Sequence, residues 1–253
     1  MSQSEQYKTA TNLNIRISIH QKYSVNKQGI SNWIVSHYDF KPNSHVLELG
    51  CGTGAMWKDN PQLIAQCNEL VLTDISEGML KETKVLLEQY NNICYKVVDA
   101  INIPYEDKTF DYIIANMMLY HTSNLNKALS EISRVLKADG VFSCVTYGEN
   151  GIMPYLEKLL SEYNFNSSMN KSFTIQNGEQ SLSKHFSHVQ RVDYPDRLEV
   201  TDSNDVVEYI KSCSSMPDFN CPDDETVKKI VEAQMINGVI TIPKEYGMFI
   251  CNK

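Results

Sequence analysis

Apolar and polar positions alternate along the middle of this chain in a way that predicts strands and helices in turn. Short apolar runs predict buried strands, and stretches with apolar residues three and four positions apart predict the helices between them. The predicted strands are His45 to Leu49, a run ending at Thr73, Ile93 to Val98, Phe110 to Asn116 and Val141 to Tyr147. The predicted helices are Glu77 to Tyr90, with Ser76 as its N-cap, and Leu125 to Leu136. This order predicts βαβ units, and therefore a parallel sheet with helices on both faces.

Outside this region, the pattern of apolar and polar residues is less regular. Helical patterns over Leu13 to Tyr23 and Gln28 to Tyr38 precede the first strand. Between the last predicted helix and strand of the middle region, Lys137 to Gly140 has the composition of a turn. Beyond Gly148 a helix is predicted over about Pro154 to Tyr163. A polar stretch, Asn164 to Ser183, follows it and is typical of a loop or cap insertion. The remaining predicted elements are a strand over Val189 to Tyr194, helices over Asp202 to Ser212 and Pro222 to Asn237, and a closing strand over Tyr246 to Cys251.

Composition narrows the class of protein. At 253 residues with 42% apolar content, the chain is long enough for one large α/β domain, or for a nucleotide-binding core with a cap. Its net charge of −8, without a block of one sign, disfavours a nucleic-acid partner. The start of the chain has no pattern of a secretion signal, and no window approaches the ~20 apolar residues of a membrane span, so we expect a cytoplasmic protein with no membrane partner.

Seven cysteines, scattered and odd in number, do not resemble a disulfide framework or a metal-binding pair. We therefore predict no metal site, and we interpret most of the cysteines as small buried side chains.

The most informative segment joins the first predicted strand to the second. Gly50, Gly52 and Gly54 predict a tight turn in which missing Cβ atoms let a ligand approach the backbone. Asp74 ends the next apolar run, where a carboxylate can accept hydrogen bonds from ribose hydroxyls. This unit predicts a nucleoside site. The third glycine comes one residue earlier than in the fingerprint that seats a dinucleotide pyrophosphate, which favours a different nucleoside cofactor.

Several motifs in order extend this pattern over Ser44 to Gly148. They are Glu48-Leu-Gly-Cys-Gly-Thr-Gly54, Leu72-Thr-Asp-Ile-Ser-Glu-Gly-Met-Leu80, Val98-Asp-Ala100, Leu119-Tyr-His121 and Glu131-Ile-Ser-Arg-Val-Leu-Lys-Ala-Asp-Gly140. Together they resemble the class I S-adenosylmethionine-dependent methyltransferases, and within these the ubiquinone and menaquinone methyltransferase-like small-molecule group. The resemblance implies a doubly wound, seven-stranded, mostly parallel Rossmann-like sheet with N-terminal helices and a cap insertion. It also implies S-adenosyl-L-methionine as the cofactor.

The resemblance further implies a division of the chain and a role for each part. Residues 1–40 would form an N-terminal helical lid segment, 41–148 the cofactor-binding core, 149–187 a cap or substrate insertion, and 188–253 the strands and helices that complete the sheet.

Site residues follow from the resemblance, position by position. Glu48 would help to hold the cofactor's amino group, with Gly50, Cys51 and Gly52 against its methionine moiety. The remaining implied cofactor residues are Asp74 and Ile75 at the ribose and adenine, Asp99 and Ala100 at the adenine amino group, Asn116 at the methyl-transfer site and Tyr23 in a covering segment.

His121 is the one imidazole near the expected methyl-transfer site, and it is our candidate for a general base. A histidine that caps the following helix or packs beneath the sheet edge is an equally good interpretation of the residue.

The sequence thus predicts an enzyme that transfers a methyl group from S-adenosylmethionine to a small-molecule acceptor by direct displacement. Two alternatives stay open at this point. A tRNA or protein methyltransferase would share the cofactor motifs, and a non-catalytic cofactor-binding regulator would keep the glycine turn and Asp74. The sequence predicts neither the acceptor nor an oligomeric state.

Overall fold

The computed structural model describes residues 10–166, 169–213 and 220–253, whose strands form a seven-stranded sheet. The strands are β1 (Ser44–Leu49), β2 (Cys67–Asp74), β3 (Ile93–Val97), β4 (Phe110–Asn116), β5 (Leu136–Tyr147), β6 (His188–Val200) and β7 (Ile240–Asn252). They lie in the order β3-β2-β1-β4-β5-β7-β6. Strands β1 to β5 are parallel, and β7 is antiparallel to β5. The predicted doubly wound, mostly parallel sheet is confirmed.

Helices connect these strands. They are α1 (Ala10–Tyr23), α2 (Ile30–Val35), α3 (Ala55–Asp59), α4 (Pro61–Ile64), α5 (Glu77–Leu86), α6 (Leu125–Val135), α7 (Ile152–Leu159), α8 (Gly178–Leu182), α9 (Ser203–Ser212) and α10 (Asp224–Ala233). The predicted cap of α5 is confirmed, because the Ser76 hydroxyl accepts a hydrogen bond from the Met79 amide. In the part of the chain that the structure describes, no helix has both the length and the apolar content needed to cross a membrane.

The chain divides into two compact units, each assembled from three stretches. The core unit consists of Ile30–Gly148, Asn170–Tyr194 and Tyr246–Lys253. The second unit consists of the described parts of Met1–Gly29, Glu149–Met169 and Pro195–Glu245. One predicted boundary, between residues 148 and 149, coincides with a boundary between these units. The four-part division into lid, core, cap and C-terminal segment otherwise stays a prediction.

The core unit buries both faces of its sheet, as parallel sheets do. Alternate residues of each strand point to opposite faces, so Leu47 and Ile113 pack on one side while Val46 and Ile114 pack on the other. The second face also buries Trp57, which is fully enclosed. Because β1 lies between β2 and β4, the direction of chain winding reverses there, and the carboxyl ends of these strands form the crevice where ligands of such sheets bind.

The second unit has a separate apolar core, which α1, α7, α9 and α10 build together with parts of β6 and β7. It also contains a buried ion pair between Lys244 and Asp196, and the Lys244 ammonium donates a further hydrogen bond of 2.8 Å to Ser24 Oγ. A buried charge is tolerated where it is paired and hydrogen-bonded in this way.

One predicted element is wrong. Lys137 to Gly140 does not form a turn, since β5 begins at Leu136 and runs without a break to Tyr147. The pairing register with β4 shifts there, from Phe110 opposite Leu136 to Tyr112 opposite Val141. The turn-like residues are thus accommodated as an irregularity in the strand, because pairing with β4 overrides their local preference.

Substitutions at two glycines test the packing of the core unit. A Cβ on Gly178 would lie 2.7 Å from Phe249 Cζ, whereas a Cβ on Gly78, inside α5, would meet only Ser76 Oγ at 3.6 Å. We expect Gly178→Ala to lower the free energy of unfolding by about 1–3 kcal/mol through overpacking. Gly78→Ala should raise it by about 0.5–1 kcal/mol through helix propensity. Urea unfolding measures both, and a Gly178→Ala protein as stable as the wild type would contradict the packing described.

Candidate functional site

The site begins with the turn between β1 and α3. Gly50, Gly52 and Gly54 have φ values of 70°, 57° and 74°, in the left-handed region that favours glycine. A Cβ on Gly50 would lie 2.9 Å from Met118 Cβ, whereas nothing lies within 4 Å of a Cβ built on Gly52. Gly50 is therefore required for close packing inside the site, and Gly52 leaves space beside the turn for a ligand.

Asp74 ties this turn to the end of β2. Its carboxylate accepts hydrogen bonds from Gly52 N (3.0 Å) and Ser76 N (2.9 Å), so its position is fixed by backbone donors on both sides. The neighbouring Ile75 side chain is 63% exposed, which is unusual for a large apolar residue. A carboxylate beside an exposed apolar side chain is a suitable surface for a sugar with an attached base.

A side chain of helix α5 and the backbone of strand β2 hold the glycine turn in place. The Thr83 hydroxyl donates to Gly52 O at 2.7 Å, and the Cys51 amide donates to Thr73 O at 2.8 Å. The sequence analysis missed Thr83, because a threonine inside a helix gives no local signal for contact with a turn 31 residues away. Burial raises the pKa of the Cys51 thiol well above its usual range, which favours a packing role for the side chain over a reactive one.

Glu48 is the unusual charge of the site. It is 4% exposed, and Trp57 Nε1 donates to its carboxylate at 2.5 Å. Burial raises the pKa of Glu48 to about 7, an effect that the Trp57 hydrogen bond opposes and the negative charge of Asp74 reinforces. Among the described residues no lysine, arginine or histidine forms an ion pair with it. A positively charged ligand would supply the missing partner.

Asp99 and Ala100 follow β3, next to the end of β2. Asp74 O accepts from Val98 N at 3.2 Å, which joins the two strand ends, and the Asp99 carboxylate accepts from Ile101 N at 3.1 Å. Ala100 is buried. The structure therefore brings Asp74 and Asp99 to adjacent strand ends, as the sequence predicts.

The loop beyond Asp99 is held by α6. The Arg134 guanidinium donates at 2.8 Å to both Ile103 O and Tyr105 O, and Glu131 accepts from Ile103 N at 2.9 Å while it pairs with Arg134. These contacts fix the path of the loop and account for Glu131 and Arg134 of the last sequence motif.

Asn116, at the end of β4, completes the edge of the site. Its amide nitrogen donates to the Tyr38 hydroxyl at 2.6 Å. Met117 follows with φ of 53°, a conformation that non-glycine residues adopt at a cost and that is frequent at functional sites. His121 comes shortly after, largely exposed, with its ring 4.4 Å from the Tyr120 ring, and burial lowers its pKa.

The remaining predicted cofactor residue, Tyr23, belongs to the second unit. It is 6% exposed, and its hydroxyl donates to the Asp205 carboxylate. Its assignment to the cofactor stays a prediction, as do the roles of the other site residues.

No group of histidine, cysteine, aspartate or glutamate side chains within residues 10–166, 169–213 and 220–253 has the arrangement of a metal site.

Comparison with known proteins agrees with this geometry. A protein-family description, "Methyltransferase domain", matches residues 47–144. Demethylmenaquinone methyltransferase from Symbiobacterium thermophilum is 27% identical over 65% of this chain and 68% of its own length. The ubiquinone/menaquinone biosynthesis C-methyltransferase UbiE from Hydrogenovibrio crunogenus is 32% identical over half of each chain. This chain thus spans about two thirds of the first relative and half of the second.

Solved structures share the fold. The YcgJ protein from Bacillus subtilis superposes with a TM-score of 0.59 at 19% identity, over 88% of this chain and 98% of its own. An S-adenosylmethionine-dependent methyltransferase from Thermotoga maritima gives a TM-score of 0.58 at 13% identity, over 99% and 97% of the two chains.

Residues 47–144 of this chain thus match a methyltransferase domain, and the relatives agree with the predicted resemblance to the class I S-adenosylmethionine-dependent methyltransferases of the small-molecule type. S-adenosylmethionine is its cofactor, and the site fits that molecule because it offers an open glycine turn and a buried carboxylate for which the described residues supply no cation.

The raised pKa of Glu48 predicts a dependence of stability on pH. The folded protein holds this proton to about pH 7, whereas the unfolded chain loses it near 4.5, so the carboxylate lowers stability as pH rises between these values. Without added ligand, Glu48→Gln should be more stable than the wild type by up to about 3 kcal/mol at pH 8, and by much less at pH 5.

Urea unfolding at the two pH values measures this difference. The exposed residue Glu106 provides the control, because Glu106→Gln should show the same pH dependence as the wild type. A Glu48→Gln protein with an unchanged pH dependence would show that the Glu48 carboxyl is not perturbed.

Proposed function

We propose that this methyltransferase transfers the methyl group of S-adenosylmethionine to a small molecule at the carboxyl end of β4, by direct displacement. The observation that carries the proposal is the pair of acids around the glycine turn: Glu48 is buried without a cation, and Asp74 is fixed by Gly52 N and Ser76 N. These acids present negative charge to a cationic nucleoside, which distinguishes the site from one built for a pyrophosphate.

The proposed roles of the residues follow from their contacts. Asp74 accepts from the ribose hydroxyls, since its carboxylate oxygens retain free lone pairs after the two backbone hydrogen bonds. Ile75 packs on the base with its exposed side chain, and Asp99 accepts from the amino group of the base. Glu48 compensates the positive charge of the methionine moiety.

S-adenosylmethionine supplies a methyl group that is already activated on a sulfonium centre. The residues of the chain therefore have to align the acceptor with that methyl group and keep water away from it. Gly50 and Met118 pack closely against each other and form one wall of the proposed site.

A planar, largely apolar acceptor suits the residues that follow β4. The Tyr120 and Tyr147 rings lie 4.5 Å apart, and Asn170 and Ser172 donate to Tyr120 O, which fixes the segment that carries the first ring. Both relatives are named for quinones, ubiquinone or menaquinone, which contain a planar ring. The Tyr147 ring, which is only partly buried, would stack on such an acceptor.

Transfer of labelled methyl groups tests the proposed function. Incubation with methyl-labelled S-adenosylmethionine and a fractionated metabolite extract should place label in a small molecule. Asp74→Ala should abolish the transfer and weaken binding of S-adenosylhomocysteine at least tenfold, because hydrogen bonds to a carboxylate are strong.

Asp139→Ala is the matched control, since Asp139 is an exposed surface acid whose nearest cation, Lys41 Nζ, lies at 3.6 Å. It should leave binding and transfer unchanged. Label recovered in RNA or protein, or cofactor bound without transfer to any fraction, would contradict the proposed function.

His121 is proposed as the base when the acceptor has to lose a proton. Its lowered pKa keeps the imidazole neutral, and therefore able to accept a proton, at neutral pH. His121→Ala should reduce kcat by about 100-fold, the contribution typical of general bases, while the affinity for S-adenosylhomocysteine is unchanged. Turnover equal to that of the wild type would remove His121 from the mechanism.

A further inference from the structure

Strand β3 is an open edge of the sheet. It stands first in the strand order, so it pairs with β2 on one side, and in the described part of the chain no other strand pairs with its outer side. Asn92 O accepts from β2 at 2.9 Å, and Val98 N donates to β2 at 3.2 Å. Because alternate residues of a strand direct their backbone groups to opposite sides, every second residue from Asn92 to Val98 faces β2. The residues between them, Ile93, Tyr95 and Val97, therefore point their N–H and C=O groups outward.

This edge has little protection against another strand. Exposed edges are usually protected by charged side chains, proline or bulges, because an unpaired row of backbone groups recruits further strands. The opposite edge of the sheet, β6, has a proline and two ion pairs within the strand: Pro195, Arg191 with Asp193, and Arg197 with Glu199. Strand β3 has one charged residue, Lys96, and its ammonium lies over the Tyr105 ring, 4.7 Å from the ring centre.

The side chains of β3 also leave apolar surface uncovered. They alternate between the two faces of the sheet, so Cys94 and Lys96 share one face. Ile93, Tyr95 and Val97 share the other. Ile93 and Tyr95 are partly buried against the core of that face, whereas Val97 is 48% exposed. A strand that covered Val97 would remove this apolar surface from water.

The outward groups of β3 match a second copy of the same strand. In an antiparallel pair, two residues directly opposite each other can exchange both of their backbone hydrogen bonds. With a two-fold axis at Tyr95, this residue faces Tyr95 of the second copy, and Val97 faces Ile93. All three outward residues are then paired, and the exposed side chain of Val97 covers the partly buried Ile93 of the other copy.

Charge and length favour this register over its two symmetric neighbours. An axis at Lys96 would place the two lysines directly opposite each other, and like charges at opposite positions are destabilising. An axis at Cys94 would leave Val97 beyond the end of the other strand. With the axis at Tyr95, each Lys96 stands opposite Cys94, so the two positive charges stay apart.

We propose that β3 forms the interface of a two-fold symmetric dimer, in which the β3 strands of two copies pair antiparallel about Tyr95 and join the two sheets. Closed two-fold dimers are the commonest oligomers, and this pairing uses one edge of each copy, so it does not continue into a fibre. The inference is independent of the proposed function, because it uses no residue assigned to the cofactor or the acceptor.

Size-exclusion chromatography with light scattering, on the full chain over a range of concentrations, tests the dimer. The wild type should have the mass of two chains. Val97→Lys should raise the Kd of the dimer at least about tenfold, because it sets a lysine against an apolar side chain on the paired edge. Val85→Lys is the matched control, since Val85 is 72% exposed on α5, and it should leave the mass unchanged.

A second variant, Lys96→Cys, tests the register. Opposite residues of a non-hydrogen-bonded antiparallel pair have Cα atoms about 4.5 Å apart, a distance that a disulfide can span. With oxidised glutathione as the oxidant, the new thiol and Cys94 of the second copy should form a disulfide, while each oxidised glutathione is reduced to two thiols. A dimer should then appear on a non-reducing denaturing gel. Val85→Cys is the control that should stay a single chain.

Each outcome decides the question. A wild-type protein that stays monomeric at every concentration would overturn the inference and leave the edge to a strand of a different protein. A dimer that persists unchanged in Val97→Lys would also overturn it, because the two copies would then meet elsewhere. A dimer that Lys96→Cys does not link covalently would contradict the register. Should Val97→Lys lose the circular dichroism of the folded protein, the covalent link in Lys96→Cys carries the test.

Discussion

The hydrogen bond from Gly52 N to the Asp74 carboxylate is the contact on which the site depends. It joins a turn of three left-handed glycines to the end of the neighbouring strand, 22 residues away in sequence. Glycine turns are costly to order because glycine loses more conformational freedom than other residues. Thr83 restrains the opposite side of the same turn, so a backbone that is intrinsically flexible becomes a rigid surface open to a ligand.

The acids of the core unit differ in how their charge is compensated. Two acids away from the site have cationic partners: the hydrogen bond from Arg134 lowers the pKa of Glu131, and Lys137 pairs with Asp111 at 2.7 Å. Glu48 has no such partner and is buried, and its pKa is raised instead. A buried carboxylate without a cation lowers the stability of the ligand-free protein, and binding of a cation relieves that cost. In the proposed site, the same group therefore links stability to cofactor affinity.

Close contacts also surround the end of β4. Tyr38, which precedes β1, accepts a hydrogen bond from Asn116, Met118 packs against Gly50, and Met117 has a strained backbone. Strain of this kind persists only where surrounding contacts impose it. The segment that follows β4, where we propose that the methyl acceptor binds, is thus positioned by contacts with both the glycine turn and the chain that precedes the first strand.

The sequence by itself determined the local parts of this protein: the alternation of strands and helices, the glycine turn, and the acids Glu48, Asp74 and Asp99 at strand ends. These follow from periodicity and short spacings, which depend on neighbouring residues alone. Only the tertiary structure decided that Lys137 to Gly140 continues a strand, that Trp57 donates to Glu48, and that Asn116 donates to Tyr38 from 78 positions away. Such contacts depend on which strands become neighbours and in what register, and that choice is made by burial of the whole sheet.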